Sequence, residues 1–184
     1  MARHLTKAEI IKNMKKASID KRLCWQTAWT GVSIMVAYTL WKTEKFGAKR
    51  LNDISQEIEK LNEQKYSGEL DFDGIRKHHV DDFEIDVHEE YVTNDDILAK
   101  PGSFAYNMTK HYVYIQNANT EFSGTYYTLL FHVLETKYGY KKERLTRVMN
   151  NIRKMGRTFE EGMLDSWISE LRDYCGIVYE MPHL

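Results

Sequence analysis

The densest group of side chains able to do chemistry is the run HHVDDFEIDVHEE at residues 78–90. Histidine and carboxylate side chains are the usual ligands of divalent metals, and a metal-dependent enzyme needs several of them to converge. The alternation in 83–87 instead predicts a short edge strand whose carboxylates face solvent. The run has neither HExxH nor EF-hand spacing. We therefore predict no metal ligand and no cofactor, and a metal-dependent enzyme at 78–90 is the third of three functional hypotheses.

A basic helix predicted over residues 141–155 is the second group, and its charged positions recur every three or four residues, which places them on one polar face. An exposed helix that presents Arg and Asn after a glycine turn is what a reader of the DNA major groove offers. Asp53 and Glu57 occupy the matching positions of an earlier helix and would repel phosphate. We define the basic face, the candidate binding surface, as Lys141, Lys142, Arg144, Arg147, Asn151 and Lys154. A DNA-binding regulator that uses this face is the second hypothesis.

Nucleophilic catalysis finds no motif in the sequence, which lacks Gly-x-Ser-x-Gly, a phosphate-binding loop and a dinucleotide fingerprint. Cys24 and Cys175 are far apart and share no metal-ligand spacing, which predicts two free thiols in a reducing compartment. His132 lies in an apolar run and is predicted to be a core residue rather than a base. We therefore expect no catalytic residue and a protein that is not an enzyme.

The composition indicates what kind of protein must hold these side chains in place. Of 184 residues, 42% are hydrophobic and 29% are charged, which predicts one soluble globular domain. The net charge of -1 argues against a general nucleic-acid binder. The uncharged run 23–41 approaches the length of a membrane span, but its interspersed polar residues favour a buried central helix, so no membrane contact is expected. Aromatic residues at helical spacing, Trp41 among them, are predicted to be core, and an exposed one would favour a protein interface.

An internal repeat is the strongest pattern in the sequence. The matched residues are Phe46, Gly47, Arg50 and Leu51 in the first copy and Tyr138, Gly139, Arg144 and Leu145 in the second. The second copy has two extra residues after its glycine. Apolar residues recur every three or four positions behind both turns, which predicts an amphipathic helix in each copy. The glycine of each turn is predicted to end the preceding helix in the left-handed region.

The repeat predicts two diverged copies of a three-helix unit, packed as one pseudo-symmetric, mainly α domain. The segments are 1–24, an N-terminal basic amphipathic helix, 25–92, copy one, 93–120, a connector, and 121–184, copy two. The predicted helices are 25–45, 48–64 and 72–79 in copy one and 121–137, 141–155 and 158–174 in copy two. Capping boxes are expected to pair Thr6 with Glu9 and Thr158 with Glu161. Residues 83–87 and 176–179 are expected to form a small β ribbon, and 103–119 is left open between helix and strand.

The unit of apolar helix, aromatic-glycine turn and basic-leucine helix resembles small uncharacterised proteins of bacteriophages and prophages of Gram-positive bacteria. The residues that carry the resemblance are Phe46, Gly47, Lys49, Arg50, Leu51, Tyr138, Gly139, Lys142, Arg144 and Leu145. The resemblance implies a mobile-element origin, a helical fold and a place in the cytoplasm of a bacterial host cell, and it carries no activity. The leading hypothesis is therefore a non-enzymatic phage-type interaction protein that binds and modulates, or inhibits, a host or viral macromolecule. A protein is the expected partner, while nucleic-acid binding and homo-oligomerisation stay open.

Overall fold

The computed structural model describes residues 26, 28–87, 104–158 and 163–179. Its helices are α1 over 28–44, α2 Ala48–Ser67, α3 Phe72–Phe83, α4 Phe104–Tyr138, α5 Lys142–Arg157 and α6 Met163–Cys175. The prediction of a mainly α fold is confirmed, and no strand is assigned in the described residues. None of the helices in this part of the chain combines the length and apolarity that crossing a membrane needs. The predictions for 1–24, 88–103 and Glu161 lie outside the described residues.

Helices α1 and α4 supply the centre of the core. Ile34 and Leu40 of α1, like Leu129 and Leu134 of α4, are fully buried at 0% exposure. Both helices are buried because long stretches of each carry no charged residue, and the sequence predicts this burial for α1. Two of their buried threonines, Thr39 and Thr128, each donate the hydroxyl to the carbonyl oxygen one turn earlier, at 2.8 Å and 2.9 Å.

Helices α2 and α5 cover this core with one apolar stripe each. The buried residues are Leu51, Ile54, Ile58 and Leu61 in α2 and Leu145, Val148, Met149 and Ile152 in α5. The stripes follow the three-and-four spacing of the sequence, so the two amphipathic helices form where predicted, α2 ending three residues later. The opposite faces of both helices carry exposed charged side chains.

The residues of the two turns do not pair with each other in the way that the sequence predicts. Gly139 ends α4 at φ +67°, as expected, but Gly47 has φ -86° and is the N-cap of α2. The left-handed residue after α1 is Lys45 at φ 59°. The next residue in each turn, Phe46 or Tyr140, is 1% exposed and donates its backbone N–H to a carbonyl six residues earlier, at 3.3 Å and 3.0 Å. Phe46 therefore corresponds to Tyr140, no residues are inserted, and the pairing of Gly47 with Gly139 is wrong.

The predicted β ribbon is also wrong. Helix α3 extends to Phe83, and the residues after α3 and α6 are left-handed caps, Glu84 at φ 56° and Gly176 at φ +67°. The N–H groups of Ile85 and Ile177 return to carbonyls of the helices they follow, at 3.1 Å and 3.2 Å. Both isoleucine side chains are buried. The alternating pattern thus reflects a cap with an apolar anchor rather than a strand.

Two further boundaries differ from the sequence prediction. The open region 103–119 is helical from Phe104, because it continues into the long buried helix α4. Thr158 caps the C-terminal end of α5, where its hydroxyl donates to the carbonyls of Lys154 and Met155 at 3.2 Å. Helix α6 accordingly begins at Met163 in the described residues, not at 158.

Candidate interaction surfaces

The end of α1 meets the start of α5 at a buried carboxylate. The Glu44 side chain is 2% exposed. It accepts the hydroxyl of Tyr140 at 3.0 Å, Nε of Arg144 at 3.3 Å and Nη2 of Arg147 at 3.0 Å. We call these four residues the Glu44 cluster. Two arginines of the basic face therefore point at an internal anion, although their own side chains stay about half exposed.

The charge of Glu44 is held in place by these donors. Burial by itself raises the pKa of a carboxyl, but hydrogen bonds from Arg147, Tyr140 and Arg144 outweigh it, and the pKa of Glu44 is lowered. The Glu44 carboxylate in turn raises the pKa of Arg147. The two arginines are thus part of the fold, and they are not free to neutralise phosphate without leaving a buried carboxylate unpaired.

The remaining basic-face residues do not form a free cationic stripe. Lys142 is paired with Glu84 across the surface at 2.7 Å. Lys141, the N-cap of α5, lines a separate cleft beside α3. Asn151 is half-buried, and Lys154 is exposed near the end of α5. Of the six predicted binding residues, three are held by carboxylates of other helices or connections, and the structure does not gather the six as a reading face.

The opposite junction, between the end of α4 and α2, has a reciprocal arrangement. Tyr138 donates its hydroxyl to Asp53 at 2.7 Å, and Lys137 contacts the same carboxylate at 2.6 Å. We call these three residues the Asp53 cluster. Burial and the bond to Asp53 raise the pKa of Tyr138 to about 12. Phe46 lies between the two clusters, with ring centroids 5.4 Å from Tyr138 and 6.3 Å from Tyr140.

The sequence-predicted turn residues are therefore structural. Arg50 lies 5.4 Å from the ring of Phe46, and Arg144 lies 3.8 Å from the ring of Tyr140. Leu51 and Leu145 occupy the first buried position of their helices. Matching contacts at the two turns are what a duplicated unit would produce, and the duplication of the whole unit stays a prediction.

The described part of the histidine-rich run packs against α4. Nδ1 of His78 lies 2.5 Å from Asp82, and its Nε2 lies 3.1 Å from Glu135, both within hydrogen-bond distance. The bond to Glu135 is the larger cause of a raised His78 pKa, and Asp82 adds to it against the effect of burial. Both ring nitrogens are engaged, so His78 fastens α3 to α4 and is not an available base.

His79 is a core residue, whereas His132, predicted to be core, is half-buried and lines the cleft beside α3. Burial lowers the pKa of His79 to about 4, and that of His132 is lowered by burial too. His79 is 2% exposed, its ring nitrogens have no hydrogen-bond partner among the described residues, and its Nε2 lies 3.7 Å from Glu135. Among the described residues, no group of three His, Cys, Asp or Glu side chains is arranged to hold a metal ion. His88, Glu89 and Glu90 lie outside the described residues.

Cysteine chemistry finds no support at the end of α6. Cys175 is a free, half-buried thiol, as predicted. Burial raises its pKa, an effect that the charge of Lys42 only partly offsets. A raised pKa reduces the thiolate fraction and with it the nucleophilicity at neutral pH.

An exposed aromatic surface lies where α1 and α6 meet. The rings of Trp41 and Tyr174 stack with centroids 5.9 Å apart, and Nζ of Lys42 lies 4.0 Å from the Trp41 ring. Lys42 is also paired with Glu170 at 2.7 Å. We call these four residues the aromatic patch. Tyr174 is 75% exposed, and Val178, four residues later, is 71% exposed.

Sequence reasoning missed this patch because it placed Trp41 in the core. Trp41 does pack against the core, but half-buried rather than enclosed. No local signal could have found the patch, because Tyr174 follows Trp167 and Leu171 at the three-and-four spacing of the apolar stripe of α6 and is exposed nonetheless. Comparisons with known protein families, with curated proteins and with solved structures find no match to this chain.

Proposed function

We propose that this protein is a non-enzymatic, phage-type interaction protein that binds a partner protein in the host cell and modulates its activity. The aromatic patch carries the proposal. Tyrosine and tryptophan are enriched at the centres of protein interfaces, because they contribute large apolar areas at a small cost in conformational entropy. Tyr174 leaves three quarters of its surface in water, and Trp41 and Lys42 lie beside it as a preformed platform.

The state of the other candidate groups favours this proposal over its two alternatives. A DNA-binding regulator would use Arg144 and Arg147, whose guanidinium groups are bonded to buried Glu44. An enzyme would need a free base or nucleophile, whereas His78 has both ring nitrogens engaged and the pKa of Cys175 is raised. Binding through a surface requires neither.

The proposal is tested by affinity capture from a lysate of a Gram-positive host, with and without nuclease. Tyr174→Ser removes the exposed ring, and Tyr66→Ser is the matched control, because Tyr66 is 64% exposed at the end of α2. We expect wild type and Tyr66→Ser to retain one protein after nuclease treatment and Tyr174→Ser to lose it by about tenfold or more.

Two outcomes would contradict the proposal. If capture disappears with nuclease for all three proteins, the protein binds nucleic acid and the DNA-binding hypothesis takes its place. If all three retain the same protein equally, the patch is not the binding surface. Near-equal melting temperatures of the variants establish that a loss of capture is not a loss of folding.

A further inference from the structure

A groove of about 350 Å³ opens between α1, α4 and α5, away from the aromatic patch. Its apolar lining includes Met35 of α1, Tyr127 of α4 and Met149 and Ile152 of α5. The volume is near the lower end of pockets that enclose a small ligand, and it suits one large apolar side chain. Methionine side chains adapt to the shape of what they contact, which favours a groove that receives a flexible segment.

One edge of the groove is cationic. Arg153 and Arg157, one helical turn apart, both line it. Arg153 donates Nη2 to the backbone carbonyl of Asp86 at 3.0 Å, and in the described part of the chain neither arginine has a carboxylate within salt-bridge distance. Arg144 and Arg147 differ from them in this respect, because both bind the carboxylate of Glu44.

We infer that this groove binds an acidic peptide segment of a partner protein, with one apolar side chain in the groove and carboxylates on Arg153 and Arg157. Guanidinium groups bind carboxylates with two parallel hydrogen bonds, which would fix the register of the peptide beside its apolar anchor. The inference rests on the proposed function and adds a second surface with a stated partner chemistry.

Charge and polarity together favour a peptide over a phosphate backbone. Contacts to phosphate position a nucleic acid through charge and hydrogen bonds, and they would leave the apolar lining of the groove unused. A nucleic-acid surface would also extend along α5 to Arg144 and Arg147, which the Glu44 cluster holds. An acidic segment with a Leu, Met or Phe anchor uses both the floor and the edge of the groove.

The test is a selection of displayed random peptides on the full chain, followed by fluorescence anisotropy of the enriched peptide. Arg157→Glu reverses the charge at the groove, and Lys154→Glu is the matched control, because Lys154 lies on the same helix but does not line the groove. We expect a consensus that combines acidic residues with one large apolar residue, and binding weakened about tenfold or more by Arg157→Glu but little by Lys154→Glu.

A second variant tests the apolar half of the groove. Ser123 lines it from α4, so Ser123→Phe should fill the space and weaken the same peptide, while far-ultraviolet circular dichroism checks that the helices are kept. Tyr174→Ser should leave peptide binding unchanged, so failure of the groove and failure of the aromatic patch are separable. If Tyr174→Ser loses the captured partner while the groove peptide still binds, both surfaces are supported.

Several results would overturn the inference. Peptides without acidic residues, peptides that bind Arg157→Glu as well as wild type, or no enrichment at all each contradict it. A shift of duplex DNA that Arg157→Glu and Lys154→Glu weaken alike would indicate a phosphate surface instead. A consensus that matches this chain's own sequence, or a concentration-dependent dimer in sedimentation that Ser123→Phe abolishes, would identify the occupant as the chain itself.

Discussion

The Glu44 and Asp53 clusters lie at two corresponding helix junctions, yet they distribute charge in opposite ways. Glu44 and Tyr138 are the last residues of α1 and α4, and they contact Arg147 of α5 and Asp53 of α2. In one cluster the helix end supplies the carboxylate, which is 2% exposed. In the other the second helix supplies it, at 40% exposure. Side-chain contacts at matching positions therefore enclose an anion at one junction and leave it in water at the other.

This difference teaches which charges belong to the fold. A carboxylate that is removed from water depends on every donor around it, whereas an exposed one exchanges its protein partners for water at little cost. Arginines of similar exposure on α5 therefore differ in role according to what they face. Arg144 and Arg147 face the Glu44 carboxylate, while Arg157 faces the apolar groove.

The substitution Glu44→Gln should have the largest effect on this comparison. It removes the buried charge while it keeps the shape, and the amide offers one accepting oxygen where the carboxylate offers two, so Tyr140, Arg144 and Arg147 lose part of their common acceptor. We expect the free energy of unfolding to fall by about 2 kcal/mol. Urea denaturation at neutral pH measures it, with Glu63→Gln, a change at an exposed residue of α2, as the control. An unchanged midpoint for Glu44→Gln would contradict the assignment of a structural role to the basic-face arginines.

The second largest effect concerns His79, which accepts the same kind of cap hydrogen bond at the end of α3 as Leu171 does at the end of α6. The carbonyls of both residues accept the cap N–H of a following isoleucine. Burial lowers the pKa of His79 from 6.5 to about 4, so its neutral form stabilises the fold above the unfolded pKa, and this stability is lost as the pH falls below about 6.5. Between about pH 7.5 and pH 5, wild type should lose about 2 kcal/mol more than His79→Leu.

His78 provides the control of opposite sign for that measurement. Its pKa is raised, chiefly by Glu135, so its contribution is present below the unfolded pKa and is lost as the pH rises through the folded pKa. His78→Gln should therefore abolish the part of the stability loss at rising pH that His78 causes. The loss of stability below about pH 6.5 that His79 causes should remain. Parallel pH profiles for wild type and His79→Leu would show that His79 is not buried as a neutral ring.

The third effect compares the left-handed residues of the two turns. A Cβ added at Gly139 meets no atom within 4 Å, so the cost of Gly139→Ala comes from its φ of +67° alone. We expect that change to destabilise the fold by about 1 kcal/mol. The reverse change, Lys45→Gly, should stabilise by less, because Lys45 also donates Nζ to the carbonyl of Lys42 at 2.8 Å. Thermal unfolding of the two variants measures both signs, and equal signs would contradict the corrected register of the turns.

The smallest effect is expected for Tyr138→Phe. It removes the hydroxyl that Asp53 accepts, but Lys137 remains on the same carboxylate, and water reaches it as well. The loss of stability should be clearly smaller than for Glu44→Gln in the same urea titration. A loss as large as that of Glu44→Gln would show that the two clusters are equally sensitive and would remove the contrast between them.

The parts of the fold that the sequence predicts are those encoded by local spacing. Leu51, Ile54 and Ile58 recur at helical intervals, and so do their counterparts in α5, because one amphipathic helix needs no information from elsewhere in the chain. The register of the turns was not predictable in the same way. Gly47 and Gly139 look alike after an aromatic residue, but the feature that fixes the turn is the buried ring that follows the left-handed residue.

The candidate sites depend on partners that lie far away in sequence. The basic face looks free because Glu44 precedes Arg147 by 103 residues, and no local pattern joins them. His78 looks like a metal ligand for the same reason, since Glu135 lies 57 residues away. Neither the exposure of Tyr174, which continues the spacing of the apolar stripe of α6, nor its stacking on Trp41 could be predicted.

The wide sequence separation of the Glu44 cluster has a consequence for the rate at which the protein unfolds. The amphipathic helices and their turns close within a few residues, whereas the contact between Glu44 and Arg147 requires the ends of a 103-residue separation to meet. We expect such a contact to form after the folding transition state. Glu44→Gln should then increase the unfolding rate and leave the refolding rate nearly unchanged. The buried Glu44 carboxylate would therefore affect the rate at which the contact between α1 and α5 is lost on unfolding more than the rate at which the protein folds.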